Sequence, residues 1–156
     1  MSSSPVIDLY TGDWDDLLDL LRMSMGMESA EGVKHLWAIE QTRGTRYYVA
    51  KVAEQIVGLI GVWFDPTGIT TELEPPQIVD MAVRPEFRRR GIARMLMNQA
   101  VADVRVTGNP FLWLYTDGNS ISLLTFYRKL GFELAAVVPD WFGKGSVKAI
   151  LRLNLE

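Results

Sequence analysis

The sequence predicts an α/β protein in which a mixed, mostly antiparallel sheet is flanked by about four helices. Strand-like segments rich in β-branched and aromatic residues are interspersed with segments whose apolar residues recur at helical spacing. The resulting order, β-α-α-β-β-β-α-β-α-β-β, differs from the uniform alternation of a doubly wound parallel fold. The chain has 156 residues, of which 48% are hydrophobic, so we expect a single domain over residues 1–156 with a core of its own.

The first part of the chain predicts a strand, two helices and a hairpin. Asp13 can cap the first helix, with the acidic residues Asp15 and Asp16 in its first turn. The apolar residues of this helix recur at helical spacing: Trp14, Leu17, Leu18, Leu21 and Met25. The other predicted elements are a strand over residues 6–10, a helix over 30–40, strands over 46–52 and 56–64 joined by a turn at 53–55, and a loop over 65–76.

The second part of the chain predicts four strands and two helices. Residues 111–116, FLWLYT, are almost continuously apolar, which predicts a central strand buried on both faces. Ser120 can cap the following helix, and Gly131 stands where a helix C-cap glycine belongs. The predicted elements are a strand over residues 77–83, a helix over 91–104, the strand over 111–116, a helix over 120–130, and strands over 132–138 and 146–153.

Composition and charge exclude several classes of function. The chain has no cysteine, which excludes a disulfide scaffold, a thiolate metal site and a cysteine nucleophile, and its only histidine is His35, so we expect no metal. A net charge of −3 argues against nucleic acid as the main partner. The longest apolar run, residues 56–64, is too short to span a bilayer, and no signal-peptide pattern is visible, so we expect a cytoplasmic protein that does not bind membranes.

The segment over residues 79–93, VDMAVRPEFRRRGIA, predicts an anion-binding site. A strand ends before Pro85, an arginine-rich turn follows, and Gly91 opens a helix. The first backbone N–H groups of a helix have no partner within the helix and lie at the positive end of its dipole, so they bind phosphate groups. The segment is compatible with a phosphorylated ligand, and equally with a solvated basic helix start.

This segment resembles motif A of the GNAT superfamily of acyl-CoA-dependent N-acyltransferases, R/Q-x-x-G-x-G/A, through Arg88, Gly91 and Ala93. A second block, FYRKLGF over residues 126–132, is similar to the Y-x-K-x-G-F ending of the same family. The two blocks lie on the third and fourth predicted helices, as they do in the family, and the predicted order of elements fits nearly the whole chain.

The resemblance implies a sheet that is splayed between the fourth and fifth strands, with acetyl-CoA in the gap. Pantetheine would pair with the fourth strand, and the pyrophosphate would rest on the backbone N–H groups at the helix start. The implied cofactor-binding residues are Met81, Ala82, Val83, Arg88, Arg89, Arg90, Gly91, Ile92, Ala93 and Arg94, together with Tyr127 and with Asn119 or Ser120, both of which stand near the family's pantetheine-binding asparagine position.

The implied reaction is direct attack of a primary amine on the thioester, for which no protein nucleophile is needed. Tyr127 matches the family position that protonates the leaving thiolate, although the same residue would also fit the core as a packing residue. Asp80 interrupts an apolar strand, so it is either a structural carboxylate or the group that removes a proton from the amine.

Three residues are candidates for binding the acceptor. Glu72 and Glu74 lie in the loop before the fourth strand, near where the family admits substrate, and are either solvated or in contact with the amine. The stretch WLYTDGNS over residues 113–120 is also similar to ribosomal-protein N-terminal acetyltransferases, which carry a general-base glutamate where this chain has Tyr115.

Two other interpretations stay open at this point. The first is a GNAT-fold domain that binds an acyl-CoA without turnover, as a sensor or interaction module. The second is nucleic-acid binding through the arginines at residues 88–90, which the negative net charge disfavours. A homodimer is compatible with the sequence, and the identity of the amine does not follow from it.

Overall fold

The computed structural model describes residues 3–69 and 73–156. Within these residues seven strands are numbered in chain order: β1 (Val6–Leu9), β2 (Arg46–Val52), β3 (Gln55–Trp63), β4 (Gln77–Val83), β5 (Phe111–Asp117), β6 (Glu133–Pro139) and β7 (Val147–Asn154). The same part of the chain contains four α-helices: α1 (Leu18–Met25), α2 (Ala30–Arg43), α3 (Ile92–Arg105) and α4 (Ile121–Lys129). The order of strands and helices is the predicted one.

The strands form a mixed sheet in the order β1-β2-β3-β4-β5-β7-β6. The pairs β1–β2, β2–β3, β5–β7 and β6–β7 are antiparallel. β4 and β5 are parallel, with Gln77 opposite Trp113. A mixed, mostly antiparallel sheet with four flanking helices confirms the fold class that the sequence predicts.

The chain divides into two compact units, of which the first holds the described residues of Met1–Trp63 together with Ile78–Asp103. Its core is formed where α1 and α2 meet the sheet, and Trp37 of α2 lies 4.5 Å from Tyr47 of β2 between ring centroids. The other buried members of this cluster are Leu17, Leu20, Leu21, Val33, Val49, Leu59 and Ala82. The apolar helical positions of the sequence therefore face this core, as predicted.

The second unit holds the described residues of Phe64–Gln77 together with Val104–Glu156. In its strands β5 and β7, the residues that point to one face are buried: Leu112, Leu114, Ala149 and Leu151. Tyr127 of α4 and the adjacent Phe132 are also buried, with their rings in edge-to-face contact.

Polar side chains cap the starts of α2 and α4, whereas the prediction that Asp13 caps the first helix is wrong: its carboxylate accepts from the Trp14 N–H in the segment before α1. The Ser29 hydroxyl accepts a hydrogen bond from the Gly32 N–H at the start of α2, and the Ser120 hydroxyl does the same with Leu123 N–H at the start of α4. α2 ends at Gly44, whose φ of +84° is left-handed. It extends three residues beyond the predicted end because this glycine, and not the last apolar residue, stops it.

The predicted burial of β5 on both faces is wrong. Phe111 and Tyr115 are 38% and 46% exposed, whereas Leu112 and Leu114 between them are buried. The continuous apolar run therefore covers one buried face and one open face, and the open face is lined by aromatic side chains. Trp37 and Trp63 are core residues, while Trp141 is exposed.

Candidate active site

The N-terminal end of α3 lies in the first unit and is preceded by a turn with two left-handed residues. Arg89 has a φ of +62° and Gly91 a φ of +78°. A Cβ atom placed on Gly91 would have no atom within 4 Å, so the space in front of this backbone is open. Successive N–H groups in such a turn form a concavity that binds anions, and the helix start adds its own unpaired N–H groups.

Arginine side chains surround this turn. Arg88 Nε donates a hydrogen bond to the Val83 carbonyl at 3.1 Å, which ties the turn to the end of β4. The Arg90 guanidinium carbon lies 5.0 Å from the Phe87 ring centroid. Arg89, Arg90 and Arg94 are exposed, Ala93 is half-buried, and the Ile92 side chain is buried, so Ile92 can offer a ligand only its backbone. The structure thus brings the predicted residues 88–94 together in one turn.

The backbone N–H groups at the end of β4 point alternately to the edge that faces β3 and to the opposite edge of the strand. Arg84 N–H donates to the Val57 carbonyl at 2.8 Å on β3, so the preceding Val83 N–H points to the opposite edge because strand amides alternate. On that opposite edge the Met81 N–H donates to Ser24 Oγ at 3.0 Å. Ala82 and Val83 are buried, and a strand N–H group at this place is a donor of the kind that stabilises a developing oxyanion.

Asp80 is buried in the first unit and is held by two hydroxyl groups. Tyr47 Oη donates to Oδ2 at 2.6 Å, and Ser24 Oγ donates to Oδ1 at 2.7 Å. Burial raises the pKa of the Asp80 carboxyl to about 6, the two hydroxyl groups oppose this shift, and the charge of Glu40 adds to it. Asp80 is therefore a carboxylate at neutral pH whose pKa lies close to that pH.

Ser24 and Tyr47 are site residues that the sequence did not reveal. They stand 56 and 33 positions from Asp80 in the chain. Ser24 accepts from the Met81 N–H and donates to Asp80, so its hydroxyl connects the edge of β4 with the buried carboxylate. Burial and the neighbouring Asp80 raise the pKa of the Tyr47 hydroxyl, which keeps it a neutral donor.

Tyr127 lies in the second unit, on the last turns of α4. Its side chain is buried, and its ring packs edge-to-face against Phe126 and Phe132 at centroid distances of 4.9 and 5.8 Å. At the start of the same helix, Ser120 is the N-cap, and Asn119 Nδ2 donates to the Gly145 carbonyl at 3.1 Å. Both pantetheine-binding candidates therefore also have local structural contacts.

The acceptor-binding candidates fall in different places. Glu72 lies outside the described residues. Glu74 is exposed on the loop before β4, and the carbonyl of the next residue, Pro75, accepts from Trp113 Nε1 at 3.2 Å. Tyr115 is on the open face of β5.

Membrane-spanning helices and clusters of metal ligands are both absent from residues 3–69 and 73–156. None of the helices in these ranges is long and apolar enough to cross a bilayer. In the same ranges no three histidine, aspartate or glutamate side chains lie close enough together to hold a metal ion.

Comparison with known proteins identifies the family. The profile described as the acetyltransferase (GNAT) family matches residues 14–132. The chain belongs to the GNAT family. The match includes the arginine-rich turn before α3 and the whole of α4, so this GNAT protein carries both blocks on which the resemblance was based.

The similar proteins include N-acetyltransferases. An uncharacterized N-acetyltransferase of Methanocaldococcus jannaschii is 26% identical over 136 residues, which cover 83% of this chain and 60% of that protein. The ribosomal protein bS18-alanine N-acetyltransferase of Salmonella typhimurium is 29% identical over 70 residues, 45% of this chain and 47% of that protein. The matches thus span about half to three-fifths of the length of these relatives.

A solved structure agrees with the fold over almost the full chain. The acetyltransferase of Bacillus subtilis in complex with CoA superposes with a TM-score of 0.78 at 21% identity, covering 98% of this chain and all of that one. At this identity the likeness establishes the fold that the GNAT protein shares with it.

Proposed function

We propose that this GNAT protein is an N-acetyltransferase that transfers the acetyl group of acetyl-CoA to a primary amine of a small molecule or peptide. The observation that carries the proposal is the turn before α3, where two left-handed residues and flanking arginines leave an open anion site. Pyrophosphate is the anion that a CoA thioester would bring to it.

The residues at the helix start fit the cofactor part of this proposal. Backbone N–H groups of residues 89–94 hold the pyrophosphate, and the guanidinium groups of Arg88, Arg89 and Arg90 add charge-assisted contacts. Met81, Ala82 and Val83 offer the backbone of β4 to pantetheine. Because the Met81 N–H already donates to Ser24, the Val83 N–H is the donor that we assign to the thioester oxygen.

The chemical step is direct. The amine nitrogen attacks the thioester carbonyl carbon, the C–N bond forms, the C–S bond breaks, and the thiolate leaves. The amine loses a proton and the thiolate takes one up, so the protein needs one proton acceptor and one donor.

Asp80 is the proposed proton acceptor, reached through Ser24. The Ser24 hydroxyl already donates to Asp80 Oδ1. When Ser24 Oγ takes a proton from the amine, it passes its own hydroxyl proton along this hydrogen bond to the Asp80 carboxylate. A pKa of about 6 suits this role, since the group is ionised at neutral pH and its basicity is near the optimum for proton transfer.

Tyr127 is the proposed proton donor for the thiolate. A tyrosine ordinarily titrates near 10, so the phenol carries its proton at neutral pH. As the C–S bond breaks, the phenol gives this proton to the departing sulfur, and the tyrosinate that remains takes up a proton from solvent. The packing of its ring against Phe126 and Phe132 holds the phenol in one orientation. Asn119 or Ser120 is retained as the pantetheine contact at the start of the same helix.

Acceptor recognition is assigned to Glu74 and Tyr115, with Glu72 retained from the sequence. Carboxylates attract the cationic form of an amine before it is deprotonated. In this proposal the protein acts in the cytoplasm, and its function requires neither a monomer nor a homodimer.

An assay of thiol release separates the enzyme from a non-catalytic acyl-CoA sensor. Acetyl-CoA is incubated with a panel of primary amines, and free CoA is followed with a disulfide reagent, to which a protein without cysteine adds no background. We expect thiol release that depends on the amine. We also expect a product about 42 mass units heavier than the amine, since an acetyl group replaces one hydrogen atom. Tight binding of acetyl-CoA with no release on any amine would contradict the enzyme and favour the sensor.

A further inference from the structure

An exposed aromatic cluster lies on the open face of the second unit. Tyr115 of β5 is 46% exposed, and Trp141 and Phe142 of the loop between β6 and β7 are 58% and 57% exposed. The Tyr115 and Phe142 rings are 6.1 Å apart between centroids and tilted by 34°. Large aromatic side chains that contact one another and remain exposed are typical of a binding surface.

A lysine lies between two of these rings. Lys148 Nζ is 4.4 Å from the Tyr115 centroid and 4.1 Å from the Trp141 centroid. Asp117 stands opposite Lys148 in the strand register, but its carboxylate accepts from the Asn119 N–H at 2.9 Å. Within the described residues Lys148 forms no ion pair, so its charge is held by aromatic faces and is open to an anion.

A second cation on the same strand provides the contrast. The Arg152 guanidinium lies 5.0 Å from the Phe111 ring centroid, and its Nε is 3.1 Å from a carboxylate oxygen of Glu133. Arg152 therefore has both an aromatic neighbour and a carboxylate within ion-pair distance, whereas no acid of the described residues lies within ion-pair distance of Lys148. A charge left without an acid beside two exposed rings favours a ligand that combines an anion with an aromatic ring.

The loop that carries the cluster is held by its own hydrogen bonds. Asp140 Oδ1 accepts from the Gly145 N–H at 2.7 Å, and Ser146 Oγ accepts from the Phe142 N–H at 2.9 Å. Ser146 Oγ also donates to the Gly143 carbonyl at 2.6 Å. The backbone that carries Trp141 and Phe142 is thus held in place before any ligand arrives, which reduces the entropic cost of binding.

We propose that Tyr115, Trp141, Phe142 and Lys148 bind the acceptor, and that the acceptor carries an aromatic ring and a carboxylate beside its primary amine, as a free aromatic amino acid does. The ring stacks on the exposed aromatic side chains and the carboxylate pairs with the Lys148 ammonium. The proposal rests on the proposed acetyltransferase function and names the substrate class for it.

Binding is measured first by calorimetry, without acetyl-CoA, so that the result does not depend on turnover. We expect phenylalanine to bind at least about tenfold more tightly than phenethylamine, which lacks the carboxylate, and than alanine, which lacks the ring. Equal affinity for the three compounds, or no binding of phenylalanine, would overturn the proposal. Thiol release with other amines would be unaffected by that failure.

Variants of the two cations provide the matched comparison. Lys148→Met keeps the apolar stem and removes the charge, so we expect it to weaken phenylalanine binding at least about tenfold, with Lys148→Arg retaining most of the affinity. Arg152→Met, which also removes a cation of β7 from the face of an aromatic ring, should bind phenylalanine as the parent does. Equal losses in Lys148→Met and Arg152→Met would overturn the assignment. If phenylalanine binds but no amine causes release of thiol from acetyl-CoA, the result would contradict the proposed acetyltransferase activity instead.

Discussion

Asp80 shows how the surroundings of one side chain fix its chemistry. Its pKa of about 6 lies above its ordinary value of 3.8 because burial disfavours the charged form more than the Tyr47 and Ser24 hydroxyl groups favour it. The carboxyl group that we propose as the proton acceptor must be ionised to act. Protonation of Asp80 at low pH should therefore lower the activity. Activity should rise as the pH increases through the pKa of Asp80.

The first prediction concerns the pH profile of kcat/KM for the amine. Below pH 6 both Asp80 and the amine must lose a proton, so the logarithmic slope should be about 2, and between pH 6 and the pKa of the amine it should be about 1. Asp80→Asn should lower the rate and leave a slope of about 1 throughout. Tyr47→Phe removes a hydrogen bond that lowers the pKa of Asp80, so the break should move up by about one pH unit.

Tyr48→Phe is the control for this profile. Tyr48 is the next residue of β2, and its hydroxyl donates to Asp103 instead of Asp80. The pH profile of kcat/KM for Tyr48→Phe should change slope at the same pH as that of the parent protein. A break that is the same in Asp80→Asn and in the parent would show that another group accepts the proton.

The second prediction concerns Tyr127. Tyr127→Phe keeps the ring that packs on Phe126 and Phe132 and removes the hydroxyl, so kcat should fall about 10²–10⁴-fold while KM for acetyl-CoA changes little. Initial rates at saturating amine measure this effect. Tyr10→Phe, which removes a hydroxyl that bonds the Asp13 carbonyl, serves as the control and should retain the parent rate. A Tyr127→Phe protein with full kcat would leave Tyr127 as a packing residue.

At the scale of elements, the β2–β3 hairpin shows what the apolar pattern can and cannot specify. The alternation of residues predicted both strands and placed the turn at residues 53–55. The turn residues Ala53 and Glu54 have φ values of +49° and +69°, which suit a type I′ turn. The pair Ala-Glu is not a turn signal of that type, so the sequence could not predict its conformation.

The third prediction follows from this turn. Non-glycine residues with left-handed φ are strained, and Asn-Gly is the pair that a type I′ turn favours. The double change Ala53→Asn with Glu54→Gly should raise the free energy of unfolding by about 1–2 kcal/mol, measured by urea denaturation. Acetyl-CoA affinity should not change. A free energy of unfolding equal to that of the parent would mean that tertiary contacts, and not the turn residues, determine this conformation.

β5 is the element where the sequence misled. A continuous apolar run usually indicates a strand covered on both faces, but here Phe111 and Tyr115 are exposed and Trp113 on the same face is only half-buried. Exposed aromatic residues at a binding surface have the same sequence pattern as buried ones. What separates an exposed aromatic strand from a buried one here is tertiary structure: Lys148 and the loop carrying Trp141 lie beside Tyr115.

At the scale of the whole molecule, the order of elements and the family follow from local signals. The signals used were the strand and helix periods, the Ser120 cap and the two blocks around Gly91 and Tyr127, and each of them is contiguous in the chain. The surroundings of Asp80 are not, because Ser24 and Tyr47 reach it from distant segments. Contacts of that kind depend on tertiary packing, which a single sequence does not encode in any local pattern.

The most direct test of the central claim is a calorimetric titration of acetyl-CoA against Gly91→Ala. Gly91 has a φ of +78° and open space in front of its Cα, so an added methyl group clashes with no protein atom but stands where the pyrophosphate is proposed to lie. Gly108 follows α3 and has a φ of +77° with the same open space, so Gly108→Ala introduces the same backbone strain.

The account predicts that Gly91→Ala weakens acetyl-CoA binding at least about tenfold while Gly108→Ala binds it as the parent does. Circular dichroism should be native for both variants. Unchanged affinity in Gly91→Ala, or the same loss in both variants, would contradict the assignment of the α3 N-terminus as the site that holds acetyl-CoA.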